Sequence, residues 1–411
     1  MTKHSFNRLW IAGALAASLA APAIAQQSPT PPPPTPNMPT SDAASKLRGI
    51  PQPPFAAAAD KLPVAQLKAP KGFKIEVYAS GIPNARSLRL GDKGTLFVGN
   101  RVLDKVYAVT TDKDGKRAVK VIASGMDRPN GLAFHDGTLY VAEGTKISKL
   151  EKIEDNLDNP PKPVVIYSDL PNHQSHGWKF LALGPDNKLY VNVGAPCNIC
   201  EPPPGNAQIR RIALDGSGVE IVAHGIRQVV GMDFHPLSKV LYFTENQRDW
   251  LSEDAPQDKL NRLLNPGTDN FGFPYCGGGD TPDPQYGWGH SCDEFTKPVA
   301  QLGPHSAPLG MRFYTGKMFP AQYKNAIFIA RHGSWNRSKK NGGDVVVAKL
   351  NPDGSVKSIE PFITGFIADN NYVARPADLD WLKDGSMLLS DDYNGAVYRI
   401  TYGPQKISMN R

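Results

Sequence analysis

The sequence predicts an all-β chain folded as a six-bladed β-propeller, and three observations carry that expectation. A short apolar segment recurs six times, as Thr95-Leu96-Phe97-Val98, Thr138-Leu139-Tyr140-Val141, Lys188-Leu189-Tyr190-Val191, Val240-Leu241-Tyr242-Phe243, Ala326-Ile327-Phe328-Ile329 and Met387-Leu388-Leu389-Ser390. The reference positions Leu96, Leu139, Leu189, Leu241, Ile327 and Leu388 are 43, 50, 52, 86 and 61 residues apart, a period that short alternating strands give when they form propeller blades. Most of the six follow an apolar strand and a tight turn such as His135-Asp136-Gly137 or Gly184-Pro185-Asp186-Asn187. The third observation is composition: 38 Gly and 38 Pro in 411 residues indicate many turns. No sustained helical period runs through the chain beyond its N-terminal segment, which excludes a helical solenoid.

Taken in order, residues 1–25 read as a secretory signal. Lys3 and Arg8 precede the apolar run Leu9 to Ala21, and Ala23-Ile24-Ala25 is a small-x-small cleavage site. The apolar run is short for a membrane anchor, so the expected location is the periplasm, with no transmembrane segment after cleavage. Cleavage would take the formal charge from +7 to +5. With no basic block in the mature chain, nucleic-acid binding is not expected. Residues 26–67, with Pro31-Pro32-Pro33-Pro34, read as an extended Pro/Ala-rich spacer; an SH3-type ligand is the alternative. Residues 68–403 form the expected propeller and 404–411 a tail. Phe73 to Ser80 alternates as a strand, and pairing it with Ala396 to Tyr402 would close the ring and remove exposed edges.

Polar groups recur shortly before each inner strand: Arg86, Arg128 with Asn130, His176, Arg227 with Gln228, and Arg375. Equivalent positions in a propeller face one end of its central channel, so these side chains are expected to converge. Clustered like charges cost free energy unless an anion satisfies them. Arginines beside a histidine suit a flat polyanionic ligand and proton abstraction.

His176 eight residues before Gly184-Pro185-Asp186, Gly225-Ile226-Arg227-Gln228-Val229-Val230-Gly231, Thr244-Glu245-Asn246-Gln247-Arg248-Asp249, Arg331-His332-Gly333-Ser334-Trp335-Asn336-Arg337 and Ala374-Arg375-Pro376-Ala377-Asp378 together resemble the soluble quinoprotein glucose/sorbosone dehydrogenases. The resemblance spans roughly Lys68 to Tyr402 and is nearest the sorbosone dehydrogenase-like branch. It implies a six-bladed propeller with pyrroloquinoline quinone (PQQ) and calcium, oxidising an aldose anomeric hydroxyl or a sugar aldehyde. Electrons would pass to an external acceptor such as a cytochrome or a quinone. It further implies that His176 is the general base and that Arg227 polarises the reacting quinone oxygen. Arg86, Gln228, Arg375 and the Trp335–Arg337 loop would hold the cofactor, and backbone carbonyls near Gln247 and Arg248 the calcium. The chain has Gln228 where family members often carry Asn, and Ala377 where a second arginine is usual. His173 competes with His176 for the base.

The long gap between the fourth and fifth segments holds an insertion, Asn246 to Pro308. Its Asp269-Asn270, Asp280, Tyr286, Trp288 and His290 would suit a sugar-facing loop, with a rigid surface decoration as the alternative. Cys197-Asn198-Ile199-Cys200 lacks the His of a haem c motif, since Glu201 stands there. Cys276 and Cys292 flank a Gly-rich loop, which argues against zinc. In an exported chain the simplest expectation is two disulfides, Cys197–Cys200 and Cys276–Cys292. Two other function classes stay open: a calcium-dependent, lactonase-like propeller hydrolase, which would want an acidic metal cluster, and a non-catalytic binding propeller, which would need no base.

Overall fold

The computed structural model describes Met1 and residues 46–403. The expected signal, Met1 apart, the first part of the expected spacer and the tail 404–411 lie outside the described residues. Six four-stranded antiparallel sheets are arranged as a propeller. Their innermost strands are Leu88–Leu90, Gly131–His135, Leu181–Leu183, Gly231–Phe234, Pro308–Phe313 and Pro376–Trp381, in blades 1 to 6. The six recurring apolar segments are the second strands of these blades: Leu96–Val98, Thr138–Ala142, Lys188–Val193, Leu241–Glu245, Ile327–Arg331 and Met387–Asp391. They are buried on both faces because each blade packs between two others. That is why they read as continuous apolar runs and not as alternating ones.

Phe73–Ala79 pairs antiparallel with Ala396–Tyr402, from Phe73 opposite Tyr402 to Ala79 opposite Val397. The first strand among the described residues thus becomes the outer strand of the last blade, and the ring is closed. Phe73 anchors the closure edge-on against Phe319 and Phe362, at 4.8 and 4.9 Å between centroids.

Inner strands of neighbouring blades do not share a sheet, so backbone donors and acceptors there need other partners. Side chains supply them. Asp378 and Asp380 of blade 6 accept from the Leu88 and Leu90 amides of blade 1, both at 2.9 Å. Asp233 of blade 4 accepts from Phe313 of blade 5 at 2.7 Å, and Asn130 of blade 2 donates to the Lys179 carbonyl at 2.7 Å.

Residues 46–67 pack on the propeller where a free-standing spacer was expected. The Ala57 amide donates to the Asn394 carbonyl at 2.8 Å, Leu67 joins the core between blades 5 and 6, and Lys68 bridges to Thr364. Short apolar residues in the Pro/Ala-rich sequence cover blade edges, a role that composition did not reveal.

Candidate active site

In an antiparallel blade the start of the first strand and the end of the second lie at the same end of the channel. Both kinds of segment therefore meet there, around a cavity of about 270 Å³. Arg86, His176, Arg227, Gln228 and Arg375 come from the starts of inner strands, and Arg101, Gln247, Asp249, His332 and Trp335 from the turns after second strands. Asp258 and His305 also line it, as do Gly49, Ile50 and Gln52 of the N-terminal stretch.

His176 sits in left-handed backbone, φ 55°, a conformation that costs a non-glycine residue free energy and tends to persist where the surroundings fix it. Its Nδ1 is 2.8 Å from the Ala195 carbonyl oxygen. A carbonyl only accepts, so Nδ1 carries the proton and Nε2 keeps its lone pair. Burial holds the His176 pKa well below 6.5, with Arg227 and Arg101 adding to the effect against the Ala195 hydrogen bond. Lys179, fully buried, fixes the turn from beneath: its Nζ donates to the carbonyls of Pro171 and Gly177 at 2.8 and 2.7 Å. Burial, with Arg128 and Arg210 nearby, pulls its pKa down to about 7.

Arg227 is buried and nearly saturated. Nε and Nη2 donate to the Asn198 carbonyl and Oδ1 at 2.9 and 2.8 Å, Nη2 also reaches Asp249 at 3.2 Å, and Nη1 reaches the Asn246 carbonyl at 3.3 Å. One Nη1–H remains for a ligand. Asn198 lies inside the Cys197–Cys200 disulfide, and the second bridge, Cys276–Cys292, closes as expected.

Arg86 pairs with the buried Asp392, which also accepts from His332 Nε2 at 2.8 Å. Burial and the neighbouring Arg375 push the His332 pKa down to about 3, so it is neutral. Arg375 donates to the His332 and Gly333 carbonyls at 3.1 and 2.8 Å and lies over Tyr372. Trp335 meets Trp250 edge-on at 4.9 Å. His305 is fully engaged, donating from Nε2 to Ser252 at 2.7 Å and accepting at Nδ1 from Asn336 at 3.3 Å, so its part is structural.

Arg128 of the convergent set and Arg337 of the expected cofactor loop do not line the cavity. Arg128 faces outward to Asp127, Asn172 and the His173 carbonyl. Arg337 lies outside the cavity lining, bound by the Glu253 carbonyl and Asp254 at the surface. The Arg248 side chain also points away, into a buried pair with Asp283 at 2.7 Å, while Gln247 lines the cavity. His173 is engaged with Asn206 at 2.8 Å and lies outside the lining.

The insertion contributes its ends and not its aromatic middle. Asp269 caps the Leu264 and Asn265 amides, Asp280 accepts from Gln301, Tyr286 packs by the Cys197 loop, and Trp288 is exposed. None of these four lines the cavity.

Buried donors on the lining lack partners among the described residues: Arg86 Nε, Gln228 Nε2 and Gln247 Nε2. An acceptor-rich ligand would satisfy them, and the three buried arginines would offset its charge, so the residues present fit a tricarboxylate quinone. For a metal, the described residues hold no group of three or more His, Cys, Asp or Glu.

The TrAA12-like family model matches residues 67–284 and 288–403. An uncharacterized protein of Borreliella burgdorferi is 33% identical over 352 residues, 82% of this chain and 91% of that protein. A pyrroloquinoline quinone-dependent pyranose dehydrogenase of Coprinopsis cinerea is 25% identical over 86% of this chain, which spans about half (55%) of that enzyme's length. In structure, the holo form of the Coprinopsis cinerea pyranose dehydrogenase PQQ domain superposes with TM-score 0.70 at 22% identity, covering 86% of this chain and 99% of that domain. The calcium structure of a Trichoderma reesei family AA12 protein gives 0.69 at 19% identity, covering 82% and 97%. Both structural likenesses bear on the fold. By the extent of the family match and the 33% relative, this chain belongs to the TrAA12-like family.

Proposed function

We propose that this chain is a PQQ-dependent sugar dehydrogenase, taking an aldose anomeric hydroxyl or a sorbosone-like aldehyde as substrate. The observation that carries the reading is the fixed, neutral His176, with Nδ1 engaged by Ala195 and Nε2 left free on a cavity lined by arginines. Bound in that cavity, PQQ supplies an ortho-quinone that accepts a hydride. The protein's own part is to remove the hydroxyl proton, and His176 Nε2 is the group placed to take it. Arg227, held by Asn198 and Asp249, offers its remaining N–H to developing negative charge. Arg86, Gln228 and Arg375, with Trp335 beside them, would orient the cofactor.

Calcium would draw on main-chain oxygens at Gln247 and Arg248, with Asp249 and Asp258 adding carboxylates on the same cavity. The hydrolase alternative, which wants an acidic cluster, finds none among the described residues. Export to the periplasm is supported by the two disulfides. No helix among the described residues is long and apolar enough to cross a membrane, and the electron acceptor would be external. The test is to add PQQ and calcium to the purified chain and follow dye-linked oxidation across an aldose and aldehyde panel. Saturable PQQ uptake with turnover of a sugar is expected; uptake without turnover of any panel member would contradict the dehydrogenase reading.

A further inference from the structure

Four arginines line the cavity, and three have their charge or donors engaged. Arg86 faces Asp392, Arg227 faces Asp249, and Arg375 gives two of its donors to the carbonyls of His332 and Gly333. Those three are deeply buried, at 3, 4 and 5% exposure. Arg101 differs on both counts. Its side chain has no carboxylate or hydrogen-bond partner among the described residues, and it is half-buried where the other three are buried.

It is nevertheless held in place. The Arg101 amide donates to Asn84 Oδ1 at 3.0 Å, and Asn84 in turn donates to Gln52 of the N-terminal stretch at 2.7 Å. The guanidinium lies over the Trp178 ring, 4.1 Å from its centroid, and Trp178 meets His176 edge-on at 6.1 Å. Stacking on an indole fixes the plane of the guanidinium fork and leaves its N–H edge free for a bidentate acceptor. Burial, with Arg86 and Arg375 close by, lowers the Arg101 pKa to about 9. The group therefore stays a cation at neutral pH, in a place where an unpaired charge is unfavourable.

The deep arginines are the ones suited to the cofactor. We infer that Arg101 receives the carboxylate of the substrate, so that the enzyme prefers a sugar acid, such as a uronic acid, to the corresponding neutral aldose. This deepens the dehydrogenase reading and rests on it. Lining the cavity and linked to His176 through Trp178, Arg101 can bind the acid group while His176 acts on a hydroxyl elsewhere on the same sugar.

The test compares glucuronate with glucose, and galacturonate with galactose, for the parent chain, Arg101→Gln and Arg101→Lys, each reconstituted with PQQ and calcium. A charge-assisted bidentate contact predicts that the parent favours each uronate over its aldose in kcat/KM by about 10- to 100-fold. Arg101→Gln should erase that preference through the uronate KM, change the aldose kcat/KM far less than the uronate kcat/KM, and keep the parent's PQQ titration and melting curve. Arg101→Lys, which retains charge without the fork, should fall between. Weaker PQQ binding in Arg101→Gln with an unaltered uronate-to-aldose ratio would overturn the inference by assigning Arg101 to the cofactor. A parent chain without uronate preference would overturn it as well. If the parent chain takes up no PQQ, the dehydrogenase reading fails by itself. Arg101 is then judged by tryptophan-fluorescence titration of the chain with glucuronate, where quenching lost in Arg101→Gln supports it and absence of quenching in the parent refutes it.

Discussion

The Nδ1 of His176 lies 2.8 Å from the carbonyl oxygen of Ala195, across the turn between the third blade's second and third strands. This contact sets the tautomer of His176 and leaves its Nε2, on the cavity, without a protein partner among the described residues. His305 has both nitrogens engaged, and His332 donates a hydrogen bond from Nε2 to Asp392.

That relationship fixes a pH dependence. His176 works as a base only when neutral, and burial with Arg227 beside it holds its pKa well below 6.5. Lowering the pKa of a base extends activity toward acid, so kcat/KM should stay level as pH falls through 6.5 and decline only below it. Replacing Arg227 by Gln removes a neighbouring cation and should move the acid limb up toward 6.5, alongside any loss in rate. A parent acid limb at or above 6.5 would contradict the assignment.

The two disulfides should separate by their effects. Cys276–Cys292 spans 16 residues, and closing a loop of that size stabilises by about 3 kcal/mol in the chain-entropy model. Cys197–Cys200 closes a far shorter loop but presents Asn198 to Arg227. Urea unfolding should show the larger stability loss for Cys276→Ser/Cys292→Ser, and steady-state kinetics the larger rate loss for Cys197→Ser/Cys200→Ser. The reverse order in both measurements would show that the Asn198 turn does not position Arg227.

Lys179 ties both ends of the His176 turn through the carbonyls of Pro171 and Gly177. Lys179→Met keeps the side-chain length and removes both donors. A misplacement of about 1 Å in a reacting group can cost on the order of 10²-fold in rate, so turnover should fall steeply while PQQ binding, set by other blades, persists. Turnover equal to the parent's would remove Lys179 as a positioning residue.

The architecture was legible because it repeats. The six apolar second strands and their turns identify the blades, and alternation in Phe73–Ala79 identifies the closing strand, since both patterns follow directly from burial. The start of each inner strand was legible as one half of the site, which placed Arg86, His176, Arg227, Gln228 and Arg375 on a common cavity. The other half was legible only through the resemblance, which named Gln247 and Trp335. Arg101, Asp249 and His332 follow second strands, and the antiparallel hairpin returns those turns to the same end. Arg128 misled because position cannot show that Asp127, one residue earlier, draws its side chain outward. Docking of residues 46–67 was hidden because a Pro/Ala-rich composition is equally compatible with a free linker and with an edge-covering strap.

The most direct measurement is the turnover of His176→Asn beside His173→Asn, both loaded with PQQ and calcium and assayed on the best substrate of the panel. His176 lines the cavity with Nε2 free, whereas His173 is engaged with Asn206 away from it. His176→Asn should keep the fold and PQQ binding and lower kcat by about 10² to 10⁴, the usual contribution of a positioned base, while His173→Asn stays near the parent. Parent-like turnover by His176→Asn would contradict the account.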